Sequence, residues 1–159
     1  PYLLYIGTLQ PRKNLRRVVN AFAQLHQQHA VQLVLAGGKG WLYDQIFTEV
    51  TNLDLQDRVI FPGYIDEADK AALISGAEIY LYPSLYEGFG IPLLEAMACG
   101  TPILTSDSSS MSEIAADAAY LVDPHNIDDI ATGLRQLLTD IPLRDRLIER
   151  GFQLSLIHI

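Results

Sequence analysis

The chain has 159 residues, 49% of them apolar and 19% charged, with one cysteine and a net charge of −8. A chain of that length builds one domain with its own hydrophobic core, without disulfides or a structural metal. The lone Cys99 excludes a disulfide framework or a thiolate metal site. Lys and Arg total only 11, scattered apart from Arg12-Lys13, Arg16-Arg17 and the stretch from Arg144 to Arg150, so nucleic acid is not an expected partner. No apolar run is long enough to span a bilayer. A reducing, cytoplasmic setting fits the cysteine count.

The first residues, Pro1-Tyr2-Leu3-Leu4-Tyr5-Ile6-Gly7, already read as a buried strand, so the sequence looks like a piece of a longer protein. A helix follows from Asn14, expected as its cap, through Gln28, with Leu15, Val18, Val19, Phe22 and Leu25 on one face. Val31 to Ala36 is a second strand stopped by Gly37-Gly38, and 41–52 a shorter helix. Val59 to Phe61 is a third strand, ended by Pro62-Gly63. Asp66 caps a helix to Ser75, and Ala77 to Tyr82 is a fourth strand. Residues 91–99 form a helix with Pro92 in its first turn and Gly100 at its end. Pro102 to Thr105 and Ala119 to Val122 are strands, and Asn126 to Leu138 and Leu143 to Phe152 the closing helices. After Gly151 the helical periodicity fades, so residues 1–153 read as the domain and 154–159 as a truncated or non-native tail.

Strands alternating with helices imply right-handed crossovers and a parallel sheet buried on both faces: an α/β, doubly wound, Rossmann-like domain. Ligands of such folds lie beyond the carboxyl ends of the strands. Attention therefore falls on the loops 7–14, 37–42, 62–66, 83–91 and 106–113.

In the first loop, Gly7 admits close backbone approach, and Arg12 and Lys13 bring two cations suited to a diphosphate. A solvated basic pair beside a helix cap explains them equally well. Gly37-Gly38-Lys39-Gly40 lacks the full spacing of a phosphate-cradling loop and reads first as a turn. At Pro62-Gly63-Tyr64-Ile65, backbone amides offer a place for a nucleobase; a plain strand-to-helix turn is the other reading. Ser84-Leu85-Tyr86-Glu87-Gly88-Phe89-Gly90 runs directly into the helix at Ile91-Pro92, whose start has no Ser, Thr, Asn or Asp cap and leaves amides for an anion. Glu87 and Glu95 are carboxylates able to accept several sugar hydroxyls, or simply charges that favour a helix N-terminus. Residues 106–113, with five serines and two carboxylates, form either a polar binding loop or a crossover with a helix cap. The four histidines are unclustered, so neither a metal set nor a triad is expected.

These segments resemble the retaining glycosyltransferase family 4, of the GT-B architecture. Tyr5 to Asn14 looks like the family's first donor loop. Leu81-Tyr82-Pro83-Ser84-Leu85-Tyr86-Glu87-Gly88-Phe89-Gly90, continued by Ile91 to Gly100 and Thr101-Pro102-Ile103, looks like its pair of glutamates separated by seven residues. The resemblance covers residues 1 to 153 and implies the C-terminal, donor-binding half of such an enzyme. It assigns Glu87 to the donor sugar and Glu95 to the ribose hydroxyls. The amides of Gly88, Phe89 and Gly90, with the helix start at Ile91, go to the sugar and diphosphate. Lys13 goes to the diphosphate, with Arg12 adjacent, and Gly7 and Thr8 line the same loop. Many members carry Arg directly after the first glycine; Thr8 stands there, as in a mannosyltransferase-like subgroup, and Arg12 is its expected replacement.

The implied reaction moves a hexose from a nucleoside diphosphate sugar to an acceptor hydroxyl with retention, without cofactor or metal. GDP-mannose is the first expectation and a UDP-sugar the alternative, since backbone contacts at Tyr64 and Ile65 suit either base. The acceptor, a glycan or lipid-linked saccharide, falls to an N-terminal domain outside this sequence, as does any attachment to the inner face of a membrane. This chain alone is then expected to lack transferase activity. A non-catalytic nucleotide-sugar-binding module is the runner-up. A phosphate-responsive signalling domain would want an acidic cluster after the first strand, where Gly7-Thr8 stand.

Overall fold

The computed structural model describes residues 1–115 and 117–158. The strands are β1 (Tyr2–Ile6), β2 (Gln32–Ala36), β3 (Val59–Ile60), β4 (Ile79–Tyr82), β5 (Ile103–Ser106) and β6 (Tyr120–Val122). They form one parallel sheet in the order β3-β2-β1-β4-β5-β6. The doubly wound fold expected from the alternation of elements is therefore present. The helices are α1 (Leu15–Ala23), α2 (Asp44–Asn52), α3 (Glu67–Ser75), α4 (Ile91–Ala98), α5 (Ser109–Ala115), α6 (Ile127–Thr139) and α7 (Ile141–His158), with a short 3-10 turn at Pro11–Lys13.

The winding reverses at β1. The chain runs outward through β2 and β3 on one side and through β4, β5 and β6 on the other. The helices consequently fall on opposite faces. α1 packs against α2 and α6, and α4 against α3 and α7. β4 and β5 are buried at every residue, as strands covered on both faces must be. α1 sends Leu15, Val18, Val19 and Phe22 into the core, and Leu25 stays buried just beyond its end. The order reverses between β1 and β4, and the crevice above that pair is where doubly wound sheets hold ligands. The loops that meet there are 7–14 and 83–90.

Several local expectations change. Asn14 holds the N-cap position of α1, but in the left-handed region at φ 66° and with no capping bond from its side chain. Its side chain turns inward, where Nδ2 donates to the carbonyls of Pro83 (3.0 Å) and Pro124 (2.7 Å). Asn is one of the few side chains that tolerate both this backbone region and a cap position, so its identity alone does not choose. Helix α1 ends at Ala23 rather than Gln28, followed by turns. Asp66 precedes α3 in extended backbone without capping it through its side chain. Asn126 caps α6, accepting from the Asp129 amide at 3.0 Å. The serine-rich segment after β5 is helical as α5. Helix α7 continues through His158, with Leu154 packed on the core and Ser155 buried, donating to the Phe152 carbonyl. The segment expected as a tail is thus helical as far as His158; Ile159 lies outside the described residues.

Candidate functional site

Two backbones in contact shape the first loop. Gly37 sits at φ 138°, and a Cβ there would run into the Gly7 carbonyl. The close approach extends the parallel ladder past β1 and β2. The Leu9 amide donates to Gly38, and the Gly40 amide returns to Leu9 (2.9 and 3.0 Å). Gly37-Gly38-Lys39-Gly40 is therefore a packing turn against the first loop, and the Lys39 ammonium lies over the Tyr43 ring. The 3-10 turn at Pro11–Lys13 then aims Arg12 and Lys13 across the switch point toward β4.

What they meet is Glu87. Its Oε2 accepts from the Arg12 guanidinium and, at 2.8 Å, from the Lys13 ammonium. Its Oε1 accepts from the Tyr82 hydroxyl at 2.7 Å. Lys13 also donates to the Tyr82 oxygen at 3.2 Å, and its ammonium lies over that ring. The Lys13 and Glu87 side chains are only 9% and 8% exposed, against 32% for Arg12, so the pair is buried and Arg12 closes it from outside. Two cations against one carboxylate leave the cluster one positive charge in excess. Arg12 also donates to the Tyr86 carbonyl and lies over the exposed Tyr86 ring. The solvated-pair reading of Arg12-Lys13 is excluded for Lys13.

Tyr82, the last residue of β4, reads in the sequence as ordinary core. It stacks between Tyr5 on β1 and Tyr80 on β4, ring centroids 6.4 Å away in both directions. Burial raises the Tyr82 hydroxyl above the ordinary phenol range, and the Glu87 carboxylate raises it further, so it stays protonated and donates. Burial does the same to Tyr5, whose hydroxyl holds the Thr8 carbonyl at 2.8 Å. The available signal is the four tyrosines of β1 and β4, Tyr2, Tyr5, Tyr80 and Tyr82, in otherwise aliphatic strands, since each buried hydroxyl needs a partner.

Past Glu87 the chain reaches Gly90, which begins α4 with no side-chain cap. A Cβ on Gly90 would lie 2.7 Å from Ile114 of α5, so the close approach of α5 requires glycine there. Ser110 of α5 donates to the Glu87 carbonyl at 3.1 Å. Phe89 and Ile91 are exposed at this rim. Glu95, a turn into α4, pairs with Lys70 of α3 at 3.1 Å beside a cleft of about 310 Å³. Burial pulls the Lys70 ammonium down, but the Glu95 and Glu67 carboxylates together outweigh it and leave the group above its ordinary value. Glu95 is thus separate from the Glu87 cluster and pairs with Lys70, which it shares with Glu67. Tyr64 and Ile65 follow β3, two strands from β1, and the Gly37 amide donates to the Gly63 carbonyl just before them at 2.8 Å. Tyr64 is exposed, and Ile65 packs against the core. Among the described residues no three His, Cys, Asp or Glu side chains group as metal ligands would, and no helix is long and apolar enough to cross a membrane.

The family profile described as glycosyl transferases group 1 matches residues 1–154. The chain belongs to the group 1 glycosyltransferases. This glycosyltransferase domain is 37% identical over 152 residues to the O-antigen chain mannosyltransferase B of Escherichia coli, covering 94% of the chain and 40% of that relative. It is 31% identical over 144 residues to the serotype-specific mannosyltransferase WbdA of Escherichia coli, covering 87% of the chain and 18% of that relative. Among solved structures, the sucrose-phosphate synthase of Thermosynechococcus elongatus superposes with a TM-score of 0.89 at 32% identity, over 99% of this chain and 41% of that one. The chain therefore spans less than half the length of these relatives, and its fold is that of one Rossmann-like half of a GT-B glycosyltransferase.

Proposed function

We propose that this domain is the donor-binding half of a retaining hexosyltransferase, taking mannose from GDP-mannose to an acceptor hydroxyl. The observation that carries the reading is the buried cluster of Arg12, Lys13, Glu87 and Tyr82 at the switch point, with its excess positive charge, directly ahead of the uncapped start of α4. A diphosphate finds two cations and a helix N-terminus there, and these substitute for a divalent metal in stabilising the departing charge. In this reading Arg12 and Lys13 hold the diphosphate beside Gly7 and Thr8. The amides from Gly88 to Ile91 line the diphosphate and sugar, Glu87 accepts from sugar hydroxyls, and Glu95 accepts from the ribose. The backbone at Tyr64 and Ile65 meets the base. The sugar C1–oxygen bond to the diphosphate breaks with its electron pair leaving on the phosphate. The acceptor oxygen bonds to C1 on the same face, and its proton passes to the departing phosphate oxygen. No cofactor enters. Mannose is favoured by the two mannosyltransferase relatives; the base follows from the family resemblance alone, so a UDP-sugar is the competing donor.

The acceptor belongs to the part of the longer relatives that this chain does not span, and the chain alone binds donor without turnover. Titration calorimetry with GDP, UDP and ADP tests the reading, with GDP expected to bind most tightly. Glu95→Ala is expected to weaken GDP by about 1–3 kcal/mol, the scale of a charge-assisted hydrogen bond. Unchanged affinity in that variant removes the ribose assignment, and equal weak binding of all three nucleotides removes the base preference.

A further inference from the structure

The two oxygens of Glu87 have different kinds of partner. Oε2 is held by the two cations, Oε1 by a neutral hydroxyl. An incoming diphosphate competes for the cations with more charge than one carboxylate carries, so it draws Arg12 and Lys13 away from Oε2. A carboxylate only 8% exposed would then be left without a partner unless something kept hold of it. Tyr82 is built to do that. Its hydroxyl stays protonated, its ring is clamped in the stack with Tyr5 and Tyr80, and its carbonyl accepts from Thr105 at 2.8 Å. The Glu87 main chain is fixed separately, through the bond from Ser110 to its carbonyl.

We propose that Tyr82 is a positioning residue for sugar recognition: it retains Glu87 Oε1 while the donor's diphosphate takes Arg12 and Lys13 from Oε2. The inference rests on the donor-binding reading above. The carboxylate then pivots on one oxygen instead of swinging free. The vacated Oε2 is presented, already oriented, to a hydroxyl of the sugar attached to that diphosphate. Empty, the site keeps its cations neutralised by its own carboxylate. Loaded, the same carboxylate becomes a sugar ligand. Tyr82 thus links phosphate binding to sugar binding while needing no contact with the donor.

The test is the affinity gained from the sugar moiety, measured by calorimetry on the full chain. It is the ratio of Kd for the nucleoside diphosphate to Kd for its sugar, using whichever of GDP-mannose and UDP-glucose the unaltered protein binds more tightly. Tyr82→Phe keeps the ring stack and removes only the hydroxyl. It is expected to lower that ratio about tenfold, near the upper end for one hydrogen bond; the nucleoside diphosphate alone weakens by a smaller factor, because Lys13 also loses its bond to the Tyr82 oxygen. A purely structural role would weaken both ligands together. Acting through Glu87 also requires that Tyr82→Phe added to Glu87→Ala cost nothing further in that ratio. An unchanged ratio, equal loss of both ligands, or full additivity of the two substitutions overturns the role of Tyr82 and leaves the donor reading standing. Failure of the unaltered protein to bind any nucleotide overturns both.

Discussion

Lys13 is the residue on which sequence and structure bear most differently. Its type and loop promise a phosphate ligand, yet it lies buried with Glu87 and Tyr82. A buried ion pair is a weak source of net stability, but removing one partner leaves a charge uncompensated in a poorly solvated place. Glu87→Ala does that to Lys13, with Arg12 facing solvent on one side. The expected cost is about 2–3 kcal/mol in urea unfolding at neutral pH, less than for a wholly buried pair because Arg12 can reorient. No loss of stability in that variant would mean that the cluster opens to water in solution. Glu95→Ala is the contrasting case. Its partner Lys70 and the carboxylate itself are both partly exposed, so the structural cost stays below about 1 kcal/mol and an effect on nucleotide binding reads as function.

At the scale of elements, the packing of loop against loop sets the site. Gly37 touches the Gly7 backbone, whereas Gly38 beside it has open space where a Cβ would go. Gly37→Ala is expected to cost at least about 3 kcal/mol, because both the positive φ and the backbone contact resist it, and Gly38→Ala under about 1 kcal/mol. Urea denaturation of the two variants checks the difference; equal midpoints would show that loop 7–14 does not depend on this contact. The strands were legible because fully buried parallel strands are short apolar runs, as in Ile79–Tyr82 and Ile103–Ser106. Helix α4 was legible because Pro92 opens it and Gly100 follows it. Asn14 was not, since its side chain serves a cap or an inward bridge according to what lies across from it. The end of α7 was missed because its last turns lack helical periodicity, although Leu154 and Ser155 still face the core. In the site, the residue types at 12, 13 and 87 were legible as candidates. Their union was not: it joins positions 74 and 75 apart in the chain, through a tyrosine whose strand reads as ordinary core.

The whole molecule is acidic, with 19 Asp and Glu against 11 Lys and Arg, so its overall field repels an anion such as the proposed donor. Local arrangement has to reverse that. The reversal of strand order between β1 and β4 brings the basic loop and the uncapped helix to one crevice, and the sum of Arg12, Lys13 and Glu87 is positive. Titration of this chain with GDP, before and after Arg12→Gln, tests that claim most directly, because Arg12 is the partly exposed member of the cluster and can be neutralised without emptying the core. Binding is expected to be saturable and to weaken at least about tenfold in the variant, the scale of a lost charge-assisted phosphate contact. GDP bound equally by both proteins would contradict it.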